Sequence, residues 1–268
     1  MADVLAIDAY SPAEIAQRVE DIGVKKARMS AANTLALAVM AGAFIGFGAT
    51  FFAVIITGST LGFGITRLFG ALGFCLGLVL VVIAGAELFT GNNLLTMAWA
   101  SRKVSTLQLL RNWLLVYVGN FVGSLAVAWA IALSGIAKLN AGAVGQTLDS
   151  IAVAKVSESF TEALVRGVLC NALVCLAVWL CFAARSVTDK VLAVLLPVSA
   201  FVTCGFEHSV ANMFFLPVAM LTGGAASLTI DKLLIANLLP VTLGNIVGGA
   251  LMVGGIYWFV FLRAKVQG

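Results

Sequence analysis

The chain has 268 residues, of which 62% are hydrophobic and only 10% are charged, and its formal net charge is +4. A water-soluble globular domain carries about 25% charged residues, so this composition excludes such a domain and indicates that most of the surface faces lipid. A net charge this small gives no reason to expect nucleic acid as a partner.

Neither a secretory leader nor a disulfide framework is predicted. The segment that precedes Ala31 is polar and lacks the apolar core and small-residue cleavage site of a signal peptide. The five cysteines are odd in number, form no C-x-x-C pair and lie in apolar segments. We therefore expect them to be packing residues.

The first element in chain order is a short amphipathic helix. Ser11 is a candidate N-cap, Pro12 takes the first helical position and Glu14 completes a capping box. An apolar stripe at helical spacing follows, and the segment ends in basic residues. We expect residues 1–30 to be a cytoplasmic unit apart from a transmembrane channel domain at 31–268. This helix either packs on the membrane face or acts as a mobile plug under the cytoplasmic mouth.

Four later segments each fit one membrane crossing, at residues 34–57, 113–135, 160–184 and 233–262. Two others, 68–100 and 191–222, are too long for one. They would be about 50 Å long as straight helices, whereas a bilayer core needs roughly 20 residues. Each is interrupted by a glycine-rich or polar stretch, "AGAELFTGNN" or "CGFEHSVAN". We therefore expect an all-α membrane protein of six transmembrane helices, with helices 2 and 5 broken at mid-membrane.

Basic residues predict the orientation of these crossings. With the N-terminus inside, eleven lysines and arginines face the cytoplasm and four face the other side. This bias follows the positive-inside rule and places both termini in the cytoplasm. An uncleaved N-terminus with this bias fits a multi-pass protein of the bacterial inner membrane.

The two halves of the chain resemble each other. "NWLLVYVGNFVG" begins at Asn112 and recurs from Asn237 as "NLLPVTLGNIVG", and the pattern G-x-E-x4-N occurs at both interruptions. Gly42 and Gly167, which are separated by the same number of residues as Asn112 and Asn237, fall in the first and fourth spans. We expect two inverted three-helix repeats at about 31–135 and 156–262, because an odd number of crossings reverses the second copy. Such repeats place a binding or conduction site at their interface.

Several polar residues are expected to matter structurally at the interruptions. We predict that the carboxylates of Glu87 and Glu207 accept backbone N–H bonds where each helix breaks. The asparagines of the repeated motifs share this structural role: Asn92, Asn120, Asn212 and Asn245. Four G-x-x-x-G pairs, including Gly119/Gly123 and Gly244/Gly248, indicate close helix packing.

His208 is the only histidine and lies in the second interruption. An ionisable group inside a membrane is a functional candidate, and an imidazole with an ordinary pKa of about 6.5 exchanges protons near neutral pH. The sequence has no H-E-x-x-H, C-x-x-C, G-x-S-x-G or P-loop motif. We therefore expect neither an enzyme nor a metal site or cofactor.

These motifs together resemble the formate/nitrite transporter family. "AGAELFTG", "GFEHSVANM", "NWLLVYVGN" and "VTLGNIVGG" carry the resemblance, which extends over nearly the whole chain. "FEHSVANM" and the early "GVKKA" are more similar to the formate channels than to the nitrite members. The resemblance implies a homopentamer of aquaporin-like subunits, each with its own pore. The N-P-A boxes of aquaporins are missing, which disfavours a water or glycerol channel.

The resemblance also implies residue roles. His208 would be the central pore histidine, and Thr90 would approach it and exchange hydrogen bonds. Lys155 would draw the anion into the outer mouth, and Asn171 would add a polar contact. Glu207, next to His208, is our own further candidate for a pore residue. The apolar constrictions would be formed by Phe74, Leu78, Leu88, Phe89, Val174 and Phe201. The resemblance gives no role to Arg166, for which we expect an ion pair with Glu162 at a subunit interface.

The expected function is pH-dependent transport of formate or a related small anion across the bilayer. Lys155 would assist entry, and His208 would donate a proton so that neutral formic acid crosses the apolar constriction, because a bare carboxylate is costly to desolvate. Nitrite or hydrosulfide conduction and proton-coupled formate symport remain alternatives. A membrane scaffold or enzyme subunit without conduction is the alternative from another class.

Overall fold

The computed structural model describes residues 9–224 and 227–266, and in those residues it contains helices and no β-strand. The helices are α1 (Pro12–Arg28), α2 (Ala31–Ile56), α3 (Phe63–Ala84), α4 (Thr96–Ala100), α5 (Thr106–Ser134), α6 (Ala143–Val156), α7 (Phe160–Ala183), α8 (Val187–Thr203), α9 (Ser209–Thr222), α10 (Lys232–Phe261) and α11 (Arg263–Val266). Short 3-10 turns lie at Gly91–Leu95 and Ile136–Lys138. Within α10, Lys232–Leu238 and Val247–Gly255 are wound as π-helix.

By length and composition, five of the described helices can cross a membrane: α2, α3, α5, α7 and α10. The helix α9 is also apolar but has only 14 residues. Large apolar side chains such as Phe63, Leu114 and Leu196 are exposed on the outside of this bundle. An aqueous solvent would not tolerate so much apolar surface, so the chain is a multi-pass membrane protein.

Two helices begin well before their predicted spans. The helix α3 begins at Phe63 and not at residue 68, because Arg67 is accommodated by the carbonyl oxygens of Val202 and Thr203, at 2.7 and 3.0 Å. The helix α5 begins at Thr106 and not at residue 113, with a capping box at its start. The charge of Arg67 in α3 and the polar residues in the first two turns of α5 hid both starts from a search for apolar residues.

Non-helical segments follow α3 and α8, at the two predicted interruptions. We name residues 85–90 the Glu87 loop and residues 204–208 the Glu207 loop. Each has a glycine with a left-handed backbone, Gly85 at φ 80° and Gly205 at φ 72°. Only glycine adopts this conformation readily, which explains the glycine two positions before each glutamate.

Glycines let α2 pack closely on α5, and α7 on α10. A Cβ atom on Gly123 would lie 1.9 Å from the carbonyl oxygen of Val39, and one on Gly248 would lie 2.1 Å from that of Val168. Neither position can accept a larger residue without a shift of the helices. The packing interpretation of these G-x-x-x-G pairs is confirmed.

The predicted correspondence of Gly42 with Gly167 is wrong. The glycine contacts give Val39 of α2 and Val168 of α7 equivalent places against their partner helices. The residue of α2 that corresponds to Gly167 is therefore Ala38, one turn before Gly42. The two halves are thus offset differently in this helix pair than in the repeated motifs.

The helix α1 has the predicted capping box of Ser11 and Glu14, and it buries Ile15 and Val19. Residues 1–8 of the predicted amino-terminal unit lie outside the described residues.

The helix α1 also carries a buried charge. Its Glu20 is buried and forms an ion pair with Lys103. Burial alone would raise the pKa of this carboxyl, but hydrogen bonds, above all from Lys103, outweigh burial and hold the pKa below its ordinary value. The helix is thus docked on the bundle through a half-buried ion pair as well as apolar contacts.

Candidate functional site

His208 connects the two non-helical loops. Its imidazole is buried at the start of α9, where Nδ1 accepts the backbone N–H of Ala211 at 3.1 Å. Its Nε2 lies 3.0 Å from Oγ1 of Thr90 in the Glu87 loop. Because Nδ1 is used as an acceptor, a neutral ring carries its proton on Nε2, and Nε2–H donates to Thr90.

The imidazole lies at the wall of a cavity of about 620 Å³, which we name the His208 cavity. The ring of Phe201 stacks on the imidazole with centroids 6.0 Å apart, and Phe74 meets Phe201 edge to face, also at 6.0 Å. The charged side chains among its described lining residues are Arg67, Lys155, Glu158, Arg166 and Glu207. The wall of the cavity therefore has a charged part and an aromatic part. We name the rings of Phe74 and Phe201 the aromatic floor.

Glu207 is held by side chains and not by the backbone N–H groups that the sequence predicted. Its Oε1 lies 2.6 Å from Nζ of Lys155, and its Oε2 accepts Nδ2 of Asn212 at 2.6 Å. Asn212 also donates to Asn237, which in turn donates to the carbonyl of Lys155. The buried carboxylate is thereby neutralised by one lysine.

Glu87 has the same arrangement on the other side. Nζ of Lys26 lies 3.1 Å from its Oε1, and Asn92 Nδ2 donates to its Oε2 at 2.6 Å. Asn92 further donates to Asn112, which donates to the carbonyl of Lys26. Sequence reasoning missed Lys26 as the ion-pair partner of Glu87. The number of residues that separates Lys26 from Lys155 equals the number that separates equivalent residues of α2 and α7. This equality is the signal that could have identified Lys26.

The backbone of the two loops is bonded by asparagines in α5 and α10. Asn120 accepts the N–H of Phe89 at 2.9 Å and donates to the carbonyls of Ala38 and Glu87, at 2.7 and 2.9 Å. Asn245 makes the corresponding bonds to the N–H of Ser209 and to the carbonyls of Gly167 and Glu207, at 3.0, 2.8 and 2.9 Å. These amides, and not the glutamates, satisfy the non-helical backbone.

A second cavity, of about 320 Å³, lies beyond the aromatic floor and is named the Lys26 cavity. The lining residues that matter here are Val19, Ile22, Lys26, Leu78, Glu87, Leu88 and Asn92. Phe74 of α3 lines the first cavity and Leu78, one turn later, lines the second. Four helical residues advance about 6 Å, so the cavities are close together. His208 lines the first cavity and Gly91, the residue after Thr90, lines the second, so the contact between His208 and Thr90 lies between them.

The remaining candidates lie away from the cavity walls. Asn171 is buried and donates to the carbonyls of Asn245 and Thr90, at 2.7 and 3.2 Å. It therefore helps to fix the backbone position of Thr90. The ring of Phe89 packs on Trp113 and Tyr117, and Val174 is part of the apolar core. The structure thus shows packing and hydrogen-bond contacts for these three residues. Their roles in a pore remain predictions.

Two further expectations are corrected. Arg166 pairs with Glu158 at 2.5 Å and not with Glu162, whose carboxylate is taken by the capping box with Ser159. The cysteines are free thiols, and four are buried as packing residues, but Cys204 is exposed in the Glu207 loop.

Apolar helices that enclose two cavities, with an ion pair at each cavity and a buried histidine at one, are typical of a membrane transport protein. The model of the family described as Formate/nitrite transporter matches residues 13–259. The chain therefore belongs to the formate/nitrite transporter family.

Known relatives match it over nearly their whole length. The formate channel FocA of Escherichia coli (strain K12) is 41% identical over 273 residues, with 96% of each chain covered. A probable formate transporter of Methanothermobacter thermautotrophicus is 41% identical, with 94% of this chain and 97% of the relative covered. A solved pentameric formate channel with formate bound is 42% identical, has a TM-score of 0.81, and is matched over 87% of this chain and 98% of its own.

Proposed function

We propose that this protein transports formate across a bacterial inner membrane through a pore in each subunit. The observation that carries the proposal is the 3.0 Å contact between Thr90 and His208, which lies between the two cavities. A buried imidazole N–H at this place is suited to meet a small acceptor such as a carboxylate. The relatives that match are named as formate channels and transporters.

The proposed architecture is a homopentamer of six-crossing, aquaporin-like subunits with inverted repeats. In it, α3 with α4 and α8 with α9 form the two interrupted crossings, and both termini are cytoplasmic. The repeated network of lysine, glutamate and asparagine around each loop supports a duplicated unit. The solved neighbour named as pentameric supports the assembly.

In the proposed mechanism, the charge of Lys155 attracts the anion, and a proton from His208 allows it to cross the apolar layer. A bare carboxylate in an apolar layer is costly, so an anion would collect near Lys155 before it reaches the aromatic floor. There it would accept the Nε2 proton of an imidazolium and leave as neutral formic acid. Formation of that imidazolium requires a proton on Nδ1, which must first release the N–H of Ala211. Transport would therefore depend on pH.

Proteoliposomes that contain the wild type or His208→Ala test this proposal. Formate, nitrite and hydrosulfide influx are measured separately across a range of pH, and accumulation against a gradient separates symport from passive conduction. We expect formate to pass fastest and the substitution to alter the pH profile. Faster nitrite influx would correct the substrate, and an unchanged pH profile would exclude proton donation by His208. A wild type that moves none of these anions would overturn the proposal.

The role of α1 is tested in the same assay. A mobile plug predicts that deletion of residues 1–28 changes the pH dependence of flux. Because the deletion also removes Lys26, the substitution Lys26→Gln is the matched control. A deletion variant that behaves like Lys26→Gln would mean that α1 acts through its lysine and not as a plug.

A further inference from the structure

Glu158 is a charged residue of the His208 cavity with no place in the mechanism above. It lies between α6 and α7, its side chain is 10% exposed, and it lines the cavity together with Lys155 and Glu207. Its Oε1 receives Nη1 of Arg166 at 2.5 Å. Its Oε2 is buried and has no hydrogen-bond partner among the described residues.

The surroundings of Glu158 come from four elements. Lys155 at the end of α6 and Arg166 in α7 favour its carboxylate, whereas Glu207 opposes it, as does Glu162 in the first turn of α7. On the far wall, Arg67 of α3 donates to backbone carbonyls, and the neutral His208 caps α9. Lys155 is already matched with Glu207 and Arg166 with Glu158. The third cation among the described lining residues, Arg67, donates to backbone carbonyls and not to Glu158, so Glu158 has one ion-pair partner and its Oε2 has none.

We propose that Glu158 controls anion entry into the His208 cavity by its own protonation: the neutral carboxyl admits anions and the carboxylate opposes them. The inference rests on the transport function proposed above. Protonation at the unpartnered Oε2 raises the net charge of the described lining residues from +1 to +2. Because the proton binds Oε2, Oε1 keeps its contact with Arg166. Protonation therefore does not require the side chains to rearrange.

Burial and, next, the charge of Glu207 raise the pKa of Glu158 to about 7. The group is therefore protonated below about pH 7 and ionised above it. Anion entry into the His208 cavity is therefore expected to rise as the pH falls through neutrality. A unit charge roughly 10 Å from the anion at an effective dielectric constant of about 40 changes anion occupancy by about fourfold.

The test compares Glu158→Gln, which is permanently neutral, with the wild type in proteoliposomes. Initial formate influx is measured at about pH 5.5 and about pH 8, and the ratio of variant to wild type removes the effects of formate protonation and of His208. We expect a ratio near one at the acidic pH and about four at the alkaline pH. Glu158→Asp should keep the wild-type profile. Glu162→Gln, which neutralises a solvent-exposed glutamate in the same helix start, should give a ratio near one at both.

The outcomes separate the two proposals. A Glu158→Gln ratio that is the same at both pH values, in a wild type that conducts, overturns the role of Glu158 and leaves the transport function intact. If only nitrite passes, the same ratios are taken with nitrite and formate is the failed assignment. A wild type that passes neither anion overturns both. Should Glu158→Gln not fold, infrared titration of the wild-type carboxyl decides, because a midpoint far below neutrality would refute the inference.

Discussion

The substitution Asn120→Asp isolates the amide that holds the Glu87 loop. Aspartate has the same shape but cannot supply the two N–H bonds that Asn120 gives to the carbonyls of Ala38 and Glu87. Each buried group left without a partner costs about 1–3 kcal/mol, so we expect a loss of about 4 kcal/mol in the free energy of unfolding. The assay is an SDS titration of the purified protein in mixed micelles, followed by circular dichroism.

Asn33→Asp is the matched control, because Asn33 is exposed in the first turn of α2. A negative charge there interacts favourably with the helix dipole, so this variant should be as stable as the wild type or slightly more. Asn245→Asp should repeat the loss in the second half of the chain. If Asn120→Asp unfolds at the same SDS fraction as Asn33→Asp, the amide does not hold the loop and the reasoning is refuted.

Three other predictions follow from the contacts described. Gly123→Ala should destabilise the protein by about 1–3 kcal/mol through overpacking, measured by the same titration, whereas Gly64→Ala, with open space around it, should not. Thr90→Val removes the acceptor of the buried His208 N–H, so it should cost about 1–3 kcal/mol of stability and change formate flux by roughly tenfold; an unaltered flux would contradict its proposed role. Because the pKa of Glu20 is lowered from 4.5, the stability from its ion pair is present above about pH 4.5 and is lost as the pH falls through the lowered value. Hydrogen-exchange protection of α1 should decrease there, and Glu20→Gln should abolish that dependence.

The positions of the two loops were predictable from the sequence alone. The segments at 68–100 and 191–222 are too long for one straight crossing, and glycine marks where each helix ends. The chemistry at the loops was less accessible, because an apolar pattern does not say which polar group donates to which. Asparagine recurs in both motifs, and only coordinates separate the asparagines that bond the backbone from those that bond the glutamates.

Unequal segment lengths hid the counterpart of Lys155. The stretch from Ala38 to Glu87 is longer than the equivalent stretch from Gly167 to Glu207. A single sequence separation therefore cannot align the two halves. A search at the separation of Asn112 and Asn237 wrongly pairs Gly42 with Gly167.

The partner of Arg166 was predictable in principle. "SFTE" from Ser159 is itself a capping box, and a capping box occupies the carboxylate of Glu162. The nearest remaining carboxylate in the sequence is that of Glu158, which is the partner the structure has.

The ion pair between Lys26 and Glu87 has a practical meaning for handling the protein. A helix outside the membrane-spanning set carries the counterion of a carboxylate at the wall of the Lys26 cavity. A bulky amino-terminal fusion that displaces α1 would remove Lys26 and leave the Glu87 carboxylate without its counterion at the wall of the Lys26 cavity. Affinity tags and reporters are therefore better placed at the carboxyl terminus, and an amino-terminal tag is expected to slow anion flux even in a correctly folded protein.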